Sequence, residues 1–191
     1  MQSNDEDIIK IVTTKNGDKG RTEDYDNCDL PKEGLKVAVV GEFDLLTSFL
    51  GVAKVSTAIW FDEIEVVQRR LQNINSLIMT DPKLALYSPG IEPTSESYQR
   101  LVQITSKDVA LLEKWEVGIL KRTGDPEPEF VLPGEGGSIS AHFHVARAQC
   151  RRAERYIWKL INTEARSDLK VAAKYINRLS DFLFLAAKEG R

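Results

Sequence analysis

Disulfide chemistry has little to work with in this chain: two cysteines, Cys28 and Cys150, stand far apart in 191 residues. Two isolated thiols exclude a disulfide scaffold and point to a reducing compartment. That is the cytoplasm, or the mitochondrial matrix if a presequence has been removed. Long apolar runs are missing as well. No stretch approaches the roughly 20 apolar residues that span a bilayer. The polar, acidic start at Met1–Lys10 lacks the pattern of a secretory or organellar leader. No membrane partner is expected. Charge of one sign is not in excess either: 26 basic residues face 29 acidic ones, a net charge of −3. A general nucleic-acid binder would show a basic surplus, so no nucleic-acid partner is expected. Histidine is scarce too. His142 and His144 are two apart, which on a helix separates them by about 200°, and no Cys or carboxylate spacing supports a zinc site. The Walker A spacing and the Gly-x-Ser-x-Gly nucleophile elbow are both absent.

What remains is a chain long enough to bury a sizeable core, with 42% hydrophobic residues. It reads as one domain over residues 1–191, with residues 1–7 flexible. The first forty residues are turn-rich and acidic, and Glu23 to Asp29 reads as loop. Val37 to Val40 is a brief apolar segment. From Glu42 onward the spacing is helical. Phe43, Leu46, Leu50 and Val55 form one stripe, and Ile64, Val67, Leu71, Ile74 and Ile78 a second, ended by Asp81-Pro82. Residues 81–104 read as a long connection. Val109, Leu112, Val117 and Leu120 give a less regular third stripe, and Gly124 to Gly137 a Pro/Gly-rich segment. Ile139, Phe143, Ala146, Cys150, Ala153, Ile157 and Leu160 alternate by four and three, the spacing of a bundle seam. Ala172, Tyr175, Ile176, Leu179, Leu183 and Ala186 form the last stripe. Five amphipathic helices and little strand signal predict an all-α, up-and-down five-helix bundle.

Several segments could carry chemistry. Thr14 to Thr22 combines glycines that permit tight turns with Lys15 and Lys19, a combination that can wrap a polyphosphate or serve as a polar surface turn. Arg147, Arg151, Glu154 and Trp158 alternate by four and three, one position on from the seam, so they stack on one helix face. The arginine forks suit phosphate oxygens or carboxylates. A solvated basic face or a docking surface fits the same spacing. Arg152, Arg155 and Lys159 read as a further face. Phe130-Val131-Leu132-Pro133-Gly134 could open a helix or hold a ring over a flat ligand.

In this order, these segments resemble the PduO-type ATP:cob(I)alamin adenosyltransferases. Thr14-Lys15-Asn16-Gly17-Asp18-Lys19-Gly20-Arg21-Thr22 meets the family's Thr-Lys-x-Gly-Asp-x-Gly-x-Thr. Phe130 to Gly134 meets its Phe-x-Leu-Pro-Gly. Phe143 to Arg155 meets its Leu-His-x-Ala-Arg-x-x-x-Arg-Arg-Ala-Glu-Arg, and Asn177 to Phe184 its Asn-Arg-Leu-Ser-Asp-x-Leu-Phe. The resemblance implies a cobalamin adenosyltransferase-like five-helix bundle with an N-terminal ATP-binding loop. It implies assembly as a homotrimer with active sites at subunit interfaces. It implies that Thr14, Lys15, Asn16, Gly17, Asp18, Gly20, Thr22 and Lys32 bind ATP with magnesium from one subunit. Arg151, Glu154 and Asn177 meet the ATP from the neighbour. It gives Arg151, Asp44 and Arg147 catalytic roles, with Asp44 pairing Arg147 across the interface, and sets Phe130 where cobalamin's lower axial ligand would bind. The implied reaction is attack of Co(I) on the 5′-carbon of ATP, with triphosphate leaving. Adenosylcobalamin is then available for hand-over to a dependent enzyme.

The chain departs from the pattern in places. The family's Asp-Glu-Leu-Asn is here Asp44-Leu45-Leu46-Thr47, and its Lys-x-Asp-x-Arg is Lys32-Glu33-Gly34-Leu35-Lys36. Glu23 to Pro31 is acidic for a neighbour of phosphates. These departures motivate a second reading, a non-catalytic homologue that binds ATP or adenosylcobalamin as carrier or sensor for a partner enzyme. A third is a structural bundle that docks a macromolecule through its basic faces.

Overall fold

A computed structural model of the chain describes residues 9, 13, 15, 17–57, 59–82, 96–124 and 132–190. Five long helices carry the core: α1 (Leu35–Ser56), α2 (Phe61–Ile78), α4 (Ser106–Thr123), α5 (Gly137–Thr163) and α6 (Lys170–Glu189). A short helix, α3 (Glu96–Gln99), lies within the connection expected over 81–104. Ahead of α1 the structure corrects the expectation of loop. Arg21–Glu23 (β1) and Asp29–Pro31 (β2) form a small antiparallel hairpin, with Thr22 opposite Leu30.

The chain packs α2 on α1, α1 on α5, α5 on α6 and α6 on α4. An ion pair between Arg70 and Asp108, 2.7 Å, joins α2 to α4. The α5 seam lies between α1 and α6, and six of its seven predicted residues are fully buried, Ile139 being partly so. Each such aliphatic side chain contributes about 1.5–3 kcal/mol on burial. Cys150 sits in this seam, its thiol donating to the Ile176 carbonyl at 3.2 Å. Near the far end Trp60 meets Phe182 edge-on, centroids 5.3 Å apart, and Trp115 packs on the same ring.

Two stripes and the start of the first long helix need correcting. Helix α1 begins at Leu35, so Val37–Val40 is its first turn rather than a separate segment. Val55 is 80% exposed, because the face through Leu46, Leu50 and Ala53 continues to Thr57. In α4 the buried face runs through Val109, Leu112 and Ile119, and Val117 points outward. The register position between Leu112 and Ile119 is held by Glu116, a carboxylic acid on a face that otherwise buries aliphatics. Its Oε1 is buried with no hydrogen-bond partner, and burial pushes its pKa up to about 7 despite Arg178 nearby.

Polar groups lock the elements that position the hairpin. Thr105 and Asp108 close a capping box at the start of α4. Arg166, 3% exposed, donates to the carbonyls of Leu77 (2.7 Å) and Ile78 (3.3 Å) and pairs with Asp168 at 2.9 Å. A cation on the carbonyl end of α2 satisfies acceptors the helix leaves open.

Candidate functional site

The site residues fall into two groups within one chain. The first is the segment leading into the hairpin. Lys15 adopts φ +61°, a left-handed conformation costly for a side chain of this kind. Its carbonyl accepts from the Asp18 N–H (3.2 Å), and the Gly17 carbonyl accepts from the Gly20 N–H (3.3 Å). Gly20 sits at φ +73°, where glycine is the residue without penalty. These consecutive turns are tied down by Lys32. Its backbone N–H donates to the Gly20 carbonyl (2.9 Å) and its Nζ to the Gly17 carbonyl (2.8 Å). A Cβ at Gly17 would stand 2.6 Å from that Nζ, so the lysine's approach depends on the glycine. Lys15, Asp18, Lys19 and Lys32 are exposed, and Thr22 is on β1. Thr14, Asn16, Phe130 and residues 1–7 lie outside the described residues.

The acidic stretch beside this loop has structural uses. Asp24 is buried, and its Oδ1 accepts the N–H groups of Asp26 (3.0 Å) and Cys28 (2.9 Å) while its Oδ2 accepts from Lys36 Nζ (2.8 Å). Burial raises its pKa, but Lys36 and the two N–H groups outweigh that and hold it below the ordinary carboxylate value. Asp26 accepts from the Asp81 N–H (3.0 Å) and the Ser97 hydroxyl (2.8 Å), and Asp29 pairs with Arg21. The carboxylates of Asp24, Asp26 and Asp29 are thus engaged within the protein. Gly34 also gains an explanation. A Cβ there would lie 2.9 Å from the Pro31 carbonyl, so the tight turn between β2 and α1 leaves no room for the family's aspartate.

The second group lies on α5 and α6. Glu154 Oε1 accepts from Asn177 Nδ2 at 2.9 Å, which brings together two residues assigned to ATP. Arg151 and Glu154 open onto a shallow cleft of about 400 Å³, shared with Arg155, Trp158, Lys159 and Asn162. Arg155 and Lys159 therefore belong to the same face as the stripe, not a separate one. The sequence signal for them is a row of cations at 151, 155 and 159, each four residues apart. Arg152 alone turns away, pairing with Glu42 of α1 at 2.8 Å, where Gln149 Nε2 also donates to Glu42 (2.7 Å).

Arg147 lies further up α5. Its guanidinium is 6.0 Å from the Phe184 ring, and its Nε is buried with no partner among the described residues. Asp44 is exposed on α1, and its carboxylate has no partner among the described residues. The two do not meet within the chain. Leu45 is 43% exposed, and Thr47 Oγ1 donates to its own helix at the Phe43 carbonyl (2.9 Å). His142 shares a hydrogen bond with Ser56 Oγ at 2.9 Å, and His144 is buried. Among the described residues, no hydrogen bond or ion pair joins the loop group to the α5–α6 group.

A family model described as cobalamin adenosyltransferase matches residues 12–189. The corrinoid adenosyltransferase MMAB of Homo sapiens is 32% identical over 186 residues, covering 94% of this chain and 68% of that protein. The corrinoid adenosyltransferase of Citrobacter freundii is 33% identical over 180 residues, 93% of each chain. Among solved structures, a variant of the PduO-type ATP:corrinoid adenosyltransferase from Lactobacillus reuteri, complexed with cobalamin and ATP, superposes with a TM-score of 0.75. It is 29% identical and the match covers 92% of this chain and 91% of that one.

Proposed function

The chain belongs to the cobalamin adenosyltransferase family, and from that premise we propose how its residues divide the work of ATP-dependent adenosyl transfer to a corrinoid. The reaction moves the 5′-deoxyadenosyl group of ATP to cob(I)alamin and releases triphosphate. Cobalt is the nucleophile, so no activated serine or cysteine is required of the protein. The protein's tasks are to align two bound reactants and to stabilise negative charge on the departing triphosphate.

The observation that carries the residue assignment is the split between the two groups. The loop of Lys15, Gly17, Asp18, Gly20, Thr22 and Lys32 offers exposed ammonium groups and glycine turns. Arg151, Glu154 and Asn177 offer a cationic cleft elsewhere on the same chain. Together they could surround one ATP if the loop of one subunit closed on α5 of the next. Two further features favour such an assembly: an exposed Asp44 carboxylate, and an Arg147 whose buried Nε has no partner among the described residues. We assign these to each other across the interface of a homotrimer, with Arg151 contacting the reacting nucleotide. Thr14 and Asn16 complete the loop by motif, and Phe130 covers the lower face of the corrinoid, excluding water and an axial ligand.

Magnesium fits the donor set on the loop side. The ion prefers oxygen ligands and is commonly held by one or two carboxylates together with substrate phosphates. Asp18 supplies an exposed carboxylate beside the lysines. When bound, the ion neutralises phosphate charge, and Lys15 and Lys32 neutralise the remainder. The engaged state of Asp24, Asp26 and Asp29 removes the acidic segment as an argument for a non-catalytic homologue. A reducing compartment, the cytoplasm or the mitochondrial matrix, suits both the free thiols and a Co(I) substrate. The product would pass to an adenosylcobalamin-dependent enzyme.

Subunit complementation tests the assignment. Lys32→Ala disables the loop side and Arg151→Ala the α5 side. Each variant alone should be nearly inactive. Unfolded and refolded together, they should regain part of wild-type activity, because some interfaces then pair an intact loop with an intact α5. A mixture no more active than its components would rule out a site shared between subunits.

A further inference from the structure

Trp158 shares its α5 face with Arg151 and Glu154, yet the roles above leave it without a task. Its indole is 40% exposed, and an exposed ring alone would mean little. Its surroundings set it apart. It lies in the cleft with Arg151, Glu154, Arg155, Lys159 and Asn162. Arg151 and Lys159 have no acidic partner among the described residues, and Arg155 donates to a backbone carbonyl, that of Arg151, at 3.0 Å. The one carboxylate in the cleft, Glu154, is bonded to Asn177. Three cations without carboxylate partners thus flank one flat, accessible ring. That is the complement of an anion carrying an aromatic group.

The spacing fits as well. Seven residues of helix separate Arg151 from Trp158, about 10 Å along the axis. An extended nucleoside triphosphate separates its base from its outer phosphates by a distance of that order. We propose that Trp158 is the base-stacking residue of the ATP site, with the adenine ring on the indole and Arg151, two turns away, facing the phosphate chain. The inference rests on the assignment of this face to ATP. Stacking responds to ring area and not to the hydrogen-bonding edge, so Trp158 favours purine over pyrimidine triphosphates.

The test compares ATP with inorganic tripolyphosphate, which carries the charge and lacks the base, by calorimetric titration of the assembled protein with magnesium. Trp158→Ala should weaken ATP about tenfold, within the range known for a base on an aromatic side chain, and leave tripolyphosphate unchanged. Trp158→Phe should recover most of the loss, and the Ala variant should lose less affinity for CTP than for ATP. Equal weakening of ATP and tripolyphosphate would mean that Trp158 only shapes the cleft, and the proposal falls. No weakening of either overturns it too. Arg151→Ala checks the underlying assignment separately. It should weaken both ligands, and if it weakens neither, this face is not the ATP site whatever Trp158 does.

Discussion

Asp24→Ala should loosen the hairpin and, through it, the nucleotide loop. The carboxylate is the acceptor for two backbone N–H groups and for the Lys36 ammonium, whose side chain is 12% exposed. Removing it leaves three donors without their acceptor. Water can reach the edge of a surface hairpin, so each N–H costs about 1 kcal/mol. The poorly exposed ammonium adds a similar or larger amount, for a total of about 3 kcal/mol. A domain stable by about 5–15 kcal/mol survives that loss, and the helical core is untouched. Urea unfolding reads the global change, and amide exchange over residues 21–32 reads the local one. Exchange there should accelerate more than in α5, and KM for ATP should rise because Lys32 and Gly20 hang on β2. The variant also tests a pH signature. The folded-state pKa of Asp24 lies below its ordinary 3.8, so its contribution is complete above that value and fades as pH falls through the lower folded one. Wild type should lose stability in that acid window more steeply than Asp24→Ala. Unchanged stability and unchanged exchange in the hairpin would refute the reasoning.

Four further outcomes follow from the same contacts. Glu116 has the opposite sign: its pKa rises from 4.5 to about 7 on folding, so stability declines as pH climbs between those values. Glu116→Gln should remove that decline and gain about 1 kcal/mol at pH 8, the full shift being discounted for partial exposure, as read by thermal melts at pH 4 and pH 8. Arg151→Ala should lower kcat by about a hundredfold, the scale of losing one charge-stabilising donor. Its melting midpoint should stay within a degree or two of wild type. Arg166→Met strips the carbonyl end of α2 of its buried donor and should cost about 2–4 kcal/mol in urea unfolding. Asp44→Arg should break assembly and activity, and adding Arg147→Asp should restore assembly, as read by sedimentation.

The α5 seam was legible because α1 and α6 bury it from both sides, which enforces four-and-three spacing over its whole length. α4 was less so, because Glu116 occupies an interior register position and shifted the apparent stripe to Val117. The start of α1 was obscured by Gly34, an N-cap with no side chain to announce it. The hairpin escaped notice because strands of three residues carry no alternation. Side-chain bonds to Asp24, together with the Arg21–Asp29 pair, hold its turn. The turn-forming glycines and lysines of the loop and the stacking of Arg151 with Glu154 on one helix face were readable from residue types and order. Spacing along the sequence does not say which groups share a surface; the expectation that these two lie apart comes from the family resemblance, and no bond joins them among the described residues. Arg155 and Lys159 read as another face on spacing alone, because the cleft that gathers them is wider than a single helical stripe.

The central claim is chemical, and it can be tested without any variant. Under anaerobic conditions the protein would be mixed with magnesium-ATP and chemically reduced cobalamin, and the cob(I)alamin absorbance followed alongside adenosylcobalamin and triphosphate. The account predicts one adenosylcobalamin and one triphosphate per ATP consumed, over many turnovers. ATP bound at the cleft with no product formed would contradict it and leave a carrier or sensor in place of an enzyme.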